Sequence, residues 1–501
     1  MVRASSYQTL EDRFALVGAL REAARMLSWD RSVNMPPKGA PARAEQLAAL
    51  RLVEHEKITD PAVPDLLDGA AEEVAGDPWR AANLREMRRR WVHATALDAD
   101  LIAAMARADS ACEMAWREAR PKADYAAVKP RLQTVLDLLR EGGQARGAAL
   151  GCSLYDALMD VYEPGARIER IDALFADLAD FLPGFLDRVL GAQAAEAPPL
   201  PMEGPFAAEM QHALGVRLMA QLGFDFDGGR LDVSLHPFCS GVHDDVRVTT
   251  RYDTEDFTQS VMAVLHETGH ALYNKGLPDA WRRQPAGSAR GMAVHESQSL
   301  IVEMQACRSA EFIGFLAPLL REAFGGEGPA WSSDTLRRHY RRVARSLIRV
   351  DADEVTYPAH VILRYRLERQ LIGGDLSLDD LPDAWADGLD SLLGIRPPDD
   401  ALGCLQDIHW YSGSWGYFPT YALGALAAAQ LFATALAARP EIPAAIAEGD
   451  FAPLLGWLGE EVHRKASLPA TTDDLLLEAT GAPLGTAAFK AHLERRYLSE
   501  R

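Results

Sequence analysis

The residues best suited to chemistry lie in VLHETGHALYNKG, Val264 to Gly276, where two histidines stand four apart and a glutamate follows the first. Positions i and i+4 share one face of a helix. His266 and His270 can therefore grip one cation, zinc above all, while Glu267 lies beside it near a water on the metal. Val261, Val264, Leu265 and Leu272 supply an apolar face, no proline interrupts, and Gly276 and Pro278 end the helix. The pattern is short, and two histidines on a helix can equally be hydrogen-bonded core residues. A third ligand decides. One class of metal enzymes continues with a glycine and a third histidine, but Tyr273 and Gly276 occupy those positions. The next helical segment, GMAVHESQSLIVEMQACRSAEF, offers Glu296, preferred on spacing. Its competitors are Glu303, two turns on, and His295, which projects about 100° from its neighbour. Ligating histidines need a group to orient their second ring nitrogen. The convenient position four residues after Glu296 holds Leu300, so that group must come from elsewhere.

The elements that must hold these groups read as mostly helical. YQTLEDRFALVGALREAARMLSWD, DYAAVKPRLQTVLDLLREGG and RIDALFADLADFLPGFLDRVLGA place apolar residues at helical spacing with charges between them. GRLDVSLHPFCSGVHDDVRVTTRYD differs: Val246 and Val248 fall on one side and Arg247 and Thr249 on the other, the period of a strand. It leads directly into the HETGH helix, so a small β-sheet beside that helix is expected. AEAPPLPMEGPF and GIRPPDDALG read as loops, and no internal repeat is visible.

Bulk properties narrow the functional classes. Of 501 residues, 48% are hydrophobic, enough for a large core. The net charge of -20 repels nucleic acid and anionic membrane, so neither is expected as a partner. The five cysteines form no CxxC pair, which fits a reducing cytosol and offers no cysteine metal site. The N-terminal stretch MVRASSYQTLEDRFALVGAL shows no secretory signal. ALGALAAAQLFATALAA, from Ala422, comes nearest to a membrane span but reads as a buried helix.

Several ordered motifs together resemble the carboxypeptidase Taq family of thermostable zinc carboxypeptidases, over nearly the whole chain. WDRSVNMPPKGAPARAEQ resembles the family's N-terminal signature. HPF (His236 to Phe238), DVRVT (Asp245, Arg247, Thr249), HETGH, HESQS with Glu296, IRVDAD (Ile348 to Asp353) and GCLQDIHW (Gly403 to Trp410) follow in order. Thr268 and Leu300 depart from the family's common residues, and neither is a ligand. The resemblance implies a mainly α, single-domain zincin-type metallopeptidase over 1–501, saddle-like, with a long central groove and usually a homodimer. Within it, a helical part over about 1–200 covers the groove, the metal site falls in about 205–425, and further helices occupy about 426–501. It implies cytoplasmic removal of single C-terminal residues, with broad specificity, from peptides with a free C-terminus.

On this reading one zinc per chain, replaceable by cobalt or another divalent metal, is held by His266, His270 and Glu296, with Glu267 as general base. Related helical zinc peptidases use a tyrosine and a histidine as oxyanion donors, which points to Tyr421 with His409; Tyr417 is a further candidate. Trp410, Trp415 and Phe418 read as core. Arginine is the natural anchor for a terminal carboxylate; Arg349 and Arg247 are the candidates, unless each is tied to an aspartate nearby in sequence (Asp351, Asp353 or Asp245). His236 and Gln406 are candidate groove residues, or else satisfied buried polar groups. RRHYRRVARSLIR reads as a solvated helix face. Two alternatives remain, an oligopeptidase that cuts internally and a non-catalytic peptide-binding relative. The intact Glu267 argues against the second of these, Arg349 and the ordered motifs against the first.

Overall fold

The computed structural model describes residues 5–499; the first four residues of the N-terminal stretch lie outside them. The chain is mainly helical, with one three-stranded sheet. Strand β1 (Gly229–Val233) pairs in parallel with β3 (Asp245–Thr250), and β2 (Phe238–Val242) pairs with β3 antiparallel, giving the order β1-β3-β2. The alternation expected in β3 holds from Asp245 to Val248, where Val246 and Val248 are buried and pack with Val264 and Ala271 of the Phe257–Gly276 helix; it ends at Thr249 and Thr250, which are buried as well. The sheet thus backs the helix that carries HETGH. That helix begins at Asp256, whose carboxylate accepts from Thr258 N, filling one of the orphan donors of the first turn.

Two further helices complete the centre. Met292–Leu300 starts at Gly291, which has no capping side chain. Its first amides are met from outside: Met292 N donates to Tyr162 O at 2.9 Å, and Ala293 N to the buried Glu163 carboxylate at 2.9 Å. Pro419–Ala438, which contains the Ala-rich run, is long and apolar enough to cross a membrane by composition. Here it is a core helix: Ala422, Leu426, Ala427 and Leu431 are at most 1% exposed.

The apolar core is divided. Residues from Tyr7 to Met87 form a small cluster of their own, whereas the helices from Cys112 onward join the main cluster that runs to Tyr497. The separately packed N-terminal cluster reaches as far as Ala94.

Candidate metal centre and active site

His266 and His270 extend from one face of the Phe257–Gly276 helix, and Glu296 reaches them from Met292–Leu300. One ligand atom from each lies within 4.8 Å of the others, and His270 Nε2 is 3.7 Å from Glu296 Oε2. Glycine makes this approach possible. A Cβ on Gly269 would sit 2.6 Å from Gln298 O, and one on Gly424 would sit 2.7 Å from the Glu296 Cβ. The three helices close on the site at these two points.

The second ring nitrogens are also held. His266 Nδ1 faces Glu303 Oε2 at 2.9 Å, and His270 Nδ1 faces the His295 carbonyl at 3.0 Å. With each Nδ1–H donating, each Nε2 keeps its lone pair for a metal. Glu303 is thus the orienting group that Leu300 does not supply, rather than a ligand. It lies on the π-helical turn Ile301–Ala306, and Arg308 Nη2 holds its other oxygen at 2.5 Å. His295, the other competitor, turns its Nε2 to Asn274 Oδ1 at 3.2 Å.

The donor set fits a divalent cation in charge as well as in chemistry. Burial opposes charge on His266, yet the Glu303 hydrogen bond and the carboxylates of Glu296, Glu303 and Glu267 raise it to about 10. The pocket's own field demands a positive charge there. Two imidazoles with one carboxylate is a donor set suited to zinc. Glu267, 7% exposed, is pushed up to about 7 by burial, with His266 working against the rise. A cation on the three donors would draw it back down.

On another side lie the residues of GCLQDIHWYSGSWGYFPTY. His409 Nε2 is 3.3 Å from Tyr421 Oη, and the Tyr417 ring is 5.1 Å from Tyr421. Burial pushes His409 down to about 4 and Tyr421 up to about 12, so near neutral pH one is an uncharged imidazole and the other a phenol. Trp410, Trp415 and Phe418 are core residues, at most 3% exposed. Glu368 fastens this loop by accepting from Trp410 Nε1 at 2.7 Å, Gly416 N at 3.0 Å and Tyr155 Oη at 2.5 Å.

Both candidate arginines are paired. Arg349 donates to Asp407 Oδ1 from Nε at 3.0 Å and Nη2 at 2.8 Å, and from Nη1 to Tyr357 Oη at 3.2 Å. Its partner is neither Asp351 nor Asp353; Asp353 accepts backbone amides of Ala344, Val355 and Thr356. Asp407 also takes Arg364 Nε at 2.6 Å, so two buried guanidinium groups share one carboxylate and one positive charge is left over. Arg247 instead forms a two-pronged pair with Asp245, at 2.9 and 2.7 Å, and stacks 4.1 Å over Trp29. That pair is neutral.

Gln406 is a satisfied buried polar group: its Oε1 accepts from Arg349 N at 2.9 Å, and its Nε2 reaches the carbonyls of Leu347, Leu402 and Gly403. It braces the loop under Arg349. His236 is exposed just before β2. The partners that sequence reasoning missed are Asp407, Glu163 and Glu368, far in sequence from what they hold. Asp407, beside His409 in GCLQDIHW, was the one within reach of a motif reading.

Residues 9–497 match the model of the carboxypeptidase Taq (M32) metallopeptidase family. The chain is 37% identical to thermostable carboxypeptidase 1 of Thermus thermophilus, covering 99% of both chains, and 33% identical to carboxypeptidase 1 of Bacillus subtilis, covering 95% of both. Its structure is similar to Trypanosoma cruzi metallocarboxypeptidase 1, with a TM-score of 0.96, 40% identity and 99% of each chain covered. It is also similar to an M32 carboxypeptidase of Deinococcus radiodurans R1, with a TM-score of 0.93, 34% identity and 98% of each chain covered.

Proposed function

This chain belongs to the carboxypeptidase Taq (M32) metallopeptidase family and is a metallocarboxypeptidase, and on that premise we propose that zinc is its metal, held by His266, His270 and Glu296. The observation that carries the reading is the fixing of both imidazoles through Nδ1, with His270 Nε2 3.7 Å from Glu296 Oε2 and one ligand atom from each of the three residues within 4.8 Å of the others. When bound, the cation supplies Lewis acidity, polarising the scissile carbonyl and bringing a water's pKa toward neutrality. Glu267 takes the proton of the attacking water and delivers it to the leaving amine. The Tyr421 hydroxyl and the His409 N–H, 3.3 Å apart, donate to the oxyanion as it develops.

The Arg349–Asp407–Arg364 cluster anchors the substrate's terminal carboxylate. Its net positive charge, with the Tyr357 hydroxyl beside it, favours it over the neutral Arg247–Asp245 pair. The test uses one blocked peptide and its C-terminally amidated twin, with products followed by mass. Wild type should prefer the free acid. Truncating one partner of a desolvated charge pair costs about 2–5 kcal/mol, roughly 30-fold or more, so Arg349→Met should collapse that preference. A preference that survives Arg349→Met but not Arg247→Met would move the anchor to Arg247. Release of internal fragments with no acid preference would make the protein an oligopeptidase, and no cleavage at all with metal bound would make it a binding relative.

A further inference from the structure

Glu303 faces His266 Nδ1 at 2.9 Å from a π-helical turn, Ile301–Ala306, and a turn of that kind holds its side chains in a phase that an α-helix would not. The turn is also where the helical run ends, since Cys307 N donates back to Val302 O at 2.8 Å and Ser309 N to Ala306 O at 3.1 Å. A helix end leaves its last carbonyls in need of outside donors. One side chain from another part of the chain meets two of them. Arg496, on the turn Arg495–Ser499, donates from Nη1 to Met304 O and from Nη2 to Gln305 O at 3.1 Å. Arg496 and Gln305 are both buried.

Arg496 is itself fixed. The buried Glu354 accepts from Arg496 Nη1 at 3.1 Å, from Tyr497 Oη at 3.1 Å and from His492 Nε2 at 2.8 Å. Charge is matched along the whole path, with Arg308 on Glu303 at 2.5 Å and Arg496 on Glu354. Glu354 stands between Arg349 and Tyr357 in the chain. The Arg496 guanidinium therefore bridges the segment of the substrate anchor and the two backbone carbonyls that directly follow Glu303.

We propose that Arg496 is a positioning residue for the metal centre: by holding the Met304 and Gln305 carbonyls, it keeps the π-turn in the phase that aims Glu303 at His266. This rests on the reading above, in which Glu303 orients His266 and zinc takes Nε2. The planar fork of a guanidinium is suited to the task, because it fixes several acceptors in one geometry. Without it two carbonyls lose their donor. The turn then relaxes toward other partners and carries the Glu303 carboxylate out of line with the imidazole.

The experiment is a double-mutant cycle on metal affinity. Competition against a chelator gives the zinc dissociation constant of wild type, Arg496→Met, Glu303→Gln and the double variant. Loss of an outer support of a metal ligand costs about 10- to 100-fold in affinity, and Arg496→Met should fall at the lower end. Because it acts through Glu303, the double variant should bind zinc within about twofold of Glu303→Gln alone. Cobalt absorption, which reads ligand geometry only in folded and loaded protein, should shift in the same sense in both single variants. Losses that multiply in the double variant overturn the proposal. So does an Arg496→Met protein with a lower Tm but wild-type zinc affinity and cobalt spectrum, the mark of a purely structural residue. Should Arg496→Met not fold, Arg496→Lys carries the cycle: it keeps a charge beside Glu354 but cannot span both carbonyls, and it should weaken zinc with no further loss when Glu303→Gln is added. Glu303→Gln with wild-type zinc affinity would overturn the role of Glu303 and this proposal together, whereas a normal Glu303→Gln loss beside an inert Arg496 overturns this proposal alone.

Discussion

At the scale of single residues, Glu296 and Glu303 divide two roles that their types alone cannot separate. Glu296→Gln removes a donor from a three-donor site and should leave the protein with sub-stoichiometric zinc after dialysis. Glu303→Gln keeps all three donors but weakens the acceptor that orients His266, so metal affinity should fall about 10- to 100-fold with stoichiometric binding at excess zinc. Competition against a chelator measures both, and equal losses in the two variants would put Glu303 in the ligand set. Glu267→Gln should bind metal as wild type does and lose roughly 10²–10⁴-fold in kcat; near-normal turnover would remove it from the role of base. The HETGH spacing was readable in the sequence because helix geometry fixes what four residues means. The role of Glu303 was not, since it depends on a π-helical turn that shifts the phase of the side chains beyond Leu300. Nor was the partnership of Arg349 with Asp407, made across 58 residues.

At the scale of elements, the centre is a set of helix contacts rather than a motif. Alanine is the better helix former by about 1 kcal/mol, so Gly269→Ala should strengthen the Phe257–Gly276 helix in isolation. In the protein its methyl group would meet Gln298 O and the Ser299 Cα, both at 2.6 Å, and backbone cannot step aside as a side-chain tip can. The helices must part, at a cost of roughly 1–3 kcal/mol, and Glu296 moves away from both histidines. A lower Tm together with weaker zinc binding is expected; an unchanged or higher Tm would show that the contact is not tight. Periodicity predicted the helix, its stop and the small sheet behind it, because those follow from local pattern. It could not predict the glycine contacts, nor that Arg496, near the far end of the chain, donates to the Met304 and Gln305 carbonyls of the π-turn that bears Glu303. Those are tertiary facts that leave no mark on local spacing.

At the scale of the whole molecule, the small N-terminal cluster and the main core meet through buried charge. Glu86, 3% exposed, accepts from Arg290, 1% exposed, at 2.8 Å, and from Arg89 at 3.0 Å; Asn83 bonds Gln284 at 3.0 Å, and His93 lies 2.7 Å from Asp160. Sequence patterning reported a single large chain of helices and gave no sign of this joint, whose partners lie up to 204 residues apart. Burial works to raise the Glu86 carboxyl, but Arg290 and Arg89 outweigh it and hold it at about 2. A folded-state pKa below the unfolded one gives stability that is present above about pH 4 and lost as pH falls toward 2, here of order 3 kcal/mol. Glu368, raised to about 7 by burial, acts in the opposite sense and lowers stability as pH rises through 7. The joint should therefore loosen on acidification. Glu86→Gln leaves Arg290 buried without its counter-charge, so at neutral pH it should cost about 3–5 kcal/mol. Its stability should then fall less steeply than wild type between pH 5 and about 2.5, since the group that titrates has gone. Glu86→Gln with Arg290→Met should recover part of the neutral-pH loss and keep the flatter profile. Thermal unfolding across pH, with limited proteolysis at the Pro78–Thr95 helix, reads both effects. A Glu86→Gln profile parallel to wild type would mean that acid sensitivity resides elsewhere, in Glu354 or Asp160, which are also held at about 2.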